Sequence, residues 1–233
     1  MIKKIERRPR REESLSRERI VEASIALLDE GGEGALTFRS LSERLATGPG
    51  AIYGHIANKG DLMAAACDAI FLRTVDVGVA GDSPRDIIRA VALAMFDAMD
   101  AHPWVGSALA WNAGQLTMVR ILECLGRQLR ALGVPATRHW ATVSVLLNYI
   151  LGVGGQNAGN AQAARAHGGT GASRDAVLGA IADAWMRLDA DEYPFVRAVA
   201  AQMRAHDDRV DFLAGINLIL NGLDAGDAAP SIA

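Results

Sequence analysis

The stretch at residues 36–59, LTFRSLSERLATGPGAIYGHIANK, decides how this chain is read. Leu36, Leu41 and Leu45 recur at helical spacing and give one apolar face to a short helix. Thr37 suits its N-cap, with Ser40 or Ser42 able to satisfy amides in the next turn. Ala46-Thr47-Gly48-Pro49-Gly50 stops that helix and opens another, because Gly relaxes the backbone and Pro fits a first helical turn. The second helix has room only for Pro49 to Gly54, with Ile52 inward. Gly50, Ala51, Tyr53 and, just past the helix end, His55 point outward. So short a helix with small outward residues approaches another surface closely, and Tyr53, His55 and Lys59 are spaced to grip it. The pattern predicts a helix-turn-helix whose second helix enters a DNA major groove.

Upstream, residues 16–30 form a helix capped by Ser16, with Ile20, Ala23, Ile25, Leu27 and Leu28 inward and Gly31-Gly32 ending it. Residues 1–14 are charged and aperiodic; they read as a basic arm for the phosphate backbone or minor groove, or as a solvated tail. The formal net charge of −3 is unevenly spread. Residues 1–59 hold eleven Lys and Arg against nine Asp and Glu, so the positive field lies where phosphate binding needs it.

Downstream, Asp61 is placed to cap a helix over 62–75. Further helices are predicted over 84–101, 114–132, 135–158, 173–188, 194–205 and 207–223, with a short helix or turn at 104–110 and a Gly-, Ala- and His-rich loop at 161–172. No strand pattern occurs, so the expected fold is all-α. A helix-turn-helix head with a basic arm (1–60) would precede a larger helical ligand-binding and dimerisation body (61–233). Cys67 and Cys124 are too few and too far apart for a disulfide framework or zinc site. No signal peptide is apparent, and the most apolar run, 141–155, is interrupted by Asn148 and too short for a bilayer. A soluble cytoplasmic protein without membrane association is expected. No catalytic triad order, metal motif, phosphate loop or paired carboxylates appear; Asp97 and Asp100 near His102 fit an exposed helix end. No catalytic residue, cofactor or metal is therefore assigned.

The run from Arg19 to about Leu62 resembles the DNA-binding head of the TetR (tetracycline-repressor-like) family of transcriptional regulators. The likeness is carried in order by R-I-V-E-A-S-I-A-L-L, E-G-G-E-G-A-L-T, R-S-L-S-E-R-L and A-I-Y-G-H-I-A-N-K. The Tyr-x-His-x-x-x-Lys ending is its most specific part. The resemblance implies that Arg39 sits where DNA is met. An arginine can bond guanine O6 and N7 together, or hold a phosphate, although a solvated surface arginine is the plainer alternative. Thr47, Pro49, Gly50 and Ala51 offer methyl groups, a hydroxyl and close backbone approach, so part of the operator would be read through shape. Tyr53, His55 and Lys59 suit phosphates better than bases, and His55 can equally pack on its neighbours.

In the body, Phe96, Met99, Trp104, Trp111, Met118, Trp140 and Tyr149 are the large apolar candidates for a ligand cavity, with Asn112, Gln115, Asn148 and Gln156 as inward amides. Core packing explains each singly; as a set, amides on apolar helix faces would be costly without partners. The resemblance also implies such a pocket. Helices 135–158 and 207–223 carry more apolar surface than one body can cover, and paired with their copies they would form a four-helix dimer interface. Such a homodimer would read a palindromic double-stranded DNA operator with half-sites about 34–36 Å apart. The expected function is a repressor released from its operator by a small, largely apolar inducer. The alternatives are an all-α small-molecule binder or enzyme with a vestigial head, and a DNA binder without an inducer.

Overall fold

Helix is the only regular structure among the described residues of the computed structural model, which are 15–77, 83–110, 116–166 and 174–223. They form eleven α-helices and one 3₁₀ turn, the all-α architecture expected. The chain divides into two compact units, Met1–Ala66 and Cys67–Ala233.

The head contains α1 (Arg17–Ala35), α2 (Phe38–Arg44), α3 (Pro49–Tyr53) and the start of α4 (Lys59–Val77). Ser16 caps α1 by accepting the Arg19 amide. Gly31 and Gly32 interrupt it, Gly32 with φ +66°, a left-handed conformation that L side chains avoid. Thr37 and Ser40 close a reciprocal capping box at α2. The start of α4 corrects the sequence reading: its cap is Asn58, whose Oδ1 accepts the Asp61 amide at 3.0 Å while its Nδ2 donates to Asp61 Oδ2 at 3.1 Å. Asp61 is thus the third-position partner of the cap, because the helix begins at Lys59, three residues before its apolar periodicity starts at Leu62. Ile20, Leu28, Leu36, Leu41, Ile52, Ile56 and Leu62 form the buried core of the head.

The body contains α5 (Pro84–Ala101), α6 (Trp104–Ala110), α7 (Leu116–Ala131), α8 (His139–Ala166), α9 (Arg174–Met186), α10 (Pro194–Arg204) and α11 (Asp208–Gly222). One face of α5 (Ile88, Val91, Met95, Phe96, Met99) is buried against α7, α8 and α11. Polar clamps bind α5 to α11: Arg85 donates to the Leu220 carbonyl at 2.9 Å, Arg89 to Asn217 at 2.7 Å, and Arg209 pairs with Asp97 at 2.9 Å. Helices α9 and α10 pack on each other. A 3₁₀ turn at Ala136–Arg138 precedes α8, which continues to Ala166 and so overruns the loop predicted from 161. Ala and Gln in 158–166 are good helix formers and outweigh the isolated Gly159. Residues 167–172 of that loop lie outside the described residues. No helix among the described residues is long and apolar enough to cross a membrane.

Candidate nucleic-acid interface

Ile52 is fully buried and fixes the rotation of α3, leaving Pro49, Gly50, Ala51 and Tyr53 exposed, with His55 exposed just beyond and Thr47 half-buried. The turn before α3 is a Schellman closure of α2. The Thr47 amide donates to Ser42 O at 3.0 Å and the Ala46 amide to Glu43 O at 3.3 Å. Its left-handed residue is Ala46, with φ +50°, and not one of the glycines in Gly48-Pro49-Gly50. Gly48 instead serves as the extended N-cap of α3.

Arg39 stands out from α2, its Nε donating to Glu43 Oε1 at 3.0 Å. Both side chains are largely exposed, so this i,i+4 pair is worth at most about 1 kcal/mol and yields readily to a phosphate or base. Arg44 reaches both Glu30 oxygens and fastens α2 to α1. Lys59 Nζ donates to the Glu33 carbonyl at 2.7 Å, satisfying an acceptor near the end of α1, yet its side chain stays 43% exposed. Tyr53 is 54% exposed, and its ring stacks on Phe38 with centroids 4.3 Å apart and planes 12° from parallel. The sequence reading missed Phe38. It follows the Thr37 cap directly, but nothing in its local spacing brings it beside a residue fifteen positions later.

The head's excess of positive charge belongs to residues 1–14, which hold six Lys and Arg against three Glu and lie outside the described residues. Residues 15–59 hold five basic against six acidic groups.

The body candidates separate. Phe96, Met99, Trp104 and Met118 are buried. Met99 packs against Gly106 and Gly154; an added Cβ would collide with its methyl group at Gly154 and crowd its sulfur at Gly106. Tyr149 is half-buried: its hydroxyl donates to the Phe212 carbonyl at 3.2 Å, and its ring belongs to a stacked run Tyr149–Phe212–Phe96. Burial, reinforced by Asp211, raises the pKa of that phenol. Three inward expectations are corrected. Asn148 and Gln156 are exposed, and Trp140 is 72% exposed. On α8 the buried positions are Thr142, Val143, Leu146, Ile150, Gly154 and Ala158, and Asn148, two residues from Leu146, falls on the opposite side. Trp111, Asn112 and Gln115 lie outside the described residues. Asp97 and Asp100 are engaged with Arg209 and Asn157, respectively.

No protein-family model matches the chain. Its structure is similar over 91% of its length, and over 98% of the other chain, to the transcriptional regulator SCO7222, a TetR from Streptomyces coelicolor, at 51% identity and a TM-score of 0.81. BioQ from Mycobacterium smegmatis is similar at 27% identity and a TM-score of 0.68, over 91% of this chain and 99% of BioQ. BioQ bound to its natural double-stranded DNA operator is similar at 26% identity and a TM-score of 0.62, with the same coverage. An HTH-type transcriptional regulator of Saccharopolyspora erythraea is 29% identical over 149 residues, a match spanning 63% of each chain. This all-α chain, with its helix-turn-helix head, belongs to the TetR family of transcriptional regulators.

Proposed function

We propose that the protein is a homodimeric transcriptional repressor that binds a palindromic operator through α2 and α3 and leaves it when a small, largely apolar molecule enters the body. The observation that carries this reading is the bare outward face of α3. Gly50 and Ala51 are exposed there beside Tyr53, and a helix with so little on its surface allows close backbone approach to a groove. In the proposal Arg39 reads a base or phosphate, Thr47, Pro49, Gly50 and Ala51 line the groove, and Tyr53, His55 and Lys59 hold phosphates. BioQ's complex with its operator supports DNA as the partner. The dimer is supported by apolar side chains exposed on α8 and α11: Trp140 and Val145 on one, Val210 and Leu218 on the other, Leu218 at 74%. Selecting duplexes from a random library with the full chain tests the core of the reading. An enriched palindrome whose affinity falls steeply with salt is expected. A shallow salt slope, or a monomer by sedimentation, would overturn it.

The second reading, a regulator without an inducer, is favoured by one observation. Met99, placed in the expected cavity, already fills the space beside Gly106 and Gly154. Thermal-shift screening of apolar compounds separates the two readings.

A further inference from the structure

We infer that Phe38 is a positioning residue for DNA binding: it holds the Tyr53 ring in its phosphate-binding orientation before DNA arrives. The inference rests on the DNA-binding reading above. Tyr53 carries the long side chain on the outward face of α3, and it is also that helix's last residue, where a side chain would otherwise be free to turn. Phe38 is the first residue of α2, and its backbone is fixed twice. The Thr37–Ser40 capping box locks the chain immediately before it, and its carbonyl accepts the Ser42 hydroxyl at 2.7 Å. A ring rooted in so determined a backbone is a fixed shelf. Tyr53 lies nearly flat on it, at 4.3 Å and 12°, with more than half its surface still open.

Freezing an exposed side chain on binding costs affinity, and a contact that freezes it beforehand removes that cost. The stack also joins α2 to α3 on their outer side, while Ile52 and Leu41 are buried. Arg39, next in the chain to Phe38, shares its rigid base. The chemistry needed at position 38 is thus a flat aromatic face, and an aliphatic group of similar size does not supply it.

The test uses the full chain and a labelled duplex enriched by the wild type from a random library, with Kd read by fluorescence anisotropy. Phe38→Leu is expected to weaken binding about three- to tenfold, and Phe38→Tyr, which keeps the stack, to restore it. In a Tyr53→Ala background Phe38→Leu should change Kd less than twofold, since no ring remains to be held. An equal loss in both backgrounds would mean that Phe38 merely supports the fold of the head, and would overturn the inference. So would an unchanged Kd for Phe38→Leu alone. If the wild type enriches no duplex, the DNA-binding reading fails and this inference falls with it.

Discussion

The head and the body bury their apolar residues by the same rule but leave different surfaces behind. In the head, Ile52 and Leu41 are fully buried, and what remains outward on α3 is a small, nearly featureless patch edged by Tyr53, with Arg39 outward on α2. In the body, the large side chains suited to a ligand, Phe96 and Met99, are themselves core, while Trp140 and Leu218 stand in the open. The difference is one of range. A helix of five residues has few ways to turn, so one buried position settles which residues face out. A helix of twenty-eight residues such as α8 is surrounded by several neighbours, and only their arrangement says which of its faces is covered.

That contrast can be broken at its strongest point by Ile52→Ala. Removing the single inward side chain of α3 should destabilise the head by about 2–5 kcal/mol and abolish DNA binding; two-stage thermal unfolding by circular dichroism, with the body transition unmoved, is the expected record. Arg39→Ala should leave the melting temperature nearly unchanged, since its partner Glu43 is exposed, yet weaken DNA binding by about 1–3 kcal/mol, measured by anisotropy. In the body, an added Cβ at Gly215 would run into the Tyr149 hydroxyl and ring. Gly215→Ala should therefore lower stability by about 1–3 kcal/mol in a denaturant titration, and by less in a Tyr149→Leu background. Ala46→Gly should stabilise the head by about 1 kcal/mol, because a glycine accepts the left-handed turn that strains an alanine.

The smallest effect concerns acid. The Asp86 carboxyl is held below its usual pKa, first by the Ser83 hydroxyl and then by Arg89. Its contribution is complete above the ordinary carboxylate range and disappears as pH falls through the lowered folded value. Ser83→Ala should accordingly leave the body less stable at neutral pH and flatten its loss of stability between neutral and acid, seen in melting temperatures across pH. Thiol labelling gives an independent reading of burial: Cys67, pushed up to about 12 chiefly by desolvation, should react with a disulfide reagent long after half-buried Cys124.

The sequence by itself determined the all-α fold, the helix-turn-helix, the buried Ile52 and the exposed face around it, because these depend on periodicity and turn chemistry within a few residues. The caps at Ser16 and Thr37 were legible for the same reason. Tertiary structure alone decided the rest. It placed Phe38 under Tyr53, turned Lys59 toward the Glu33 carbonyl, put Asn148 outside and packed Met99 between two glycines. Each of these joins residues far apart in the chain, or depends on which side of a helix meets its neighbours. Local spacing carries no record of that; it is set when the helices pack.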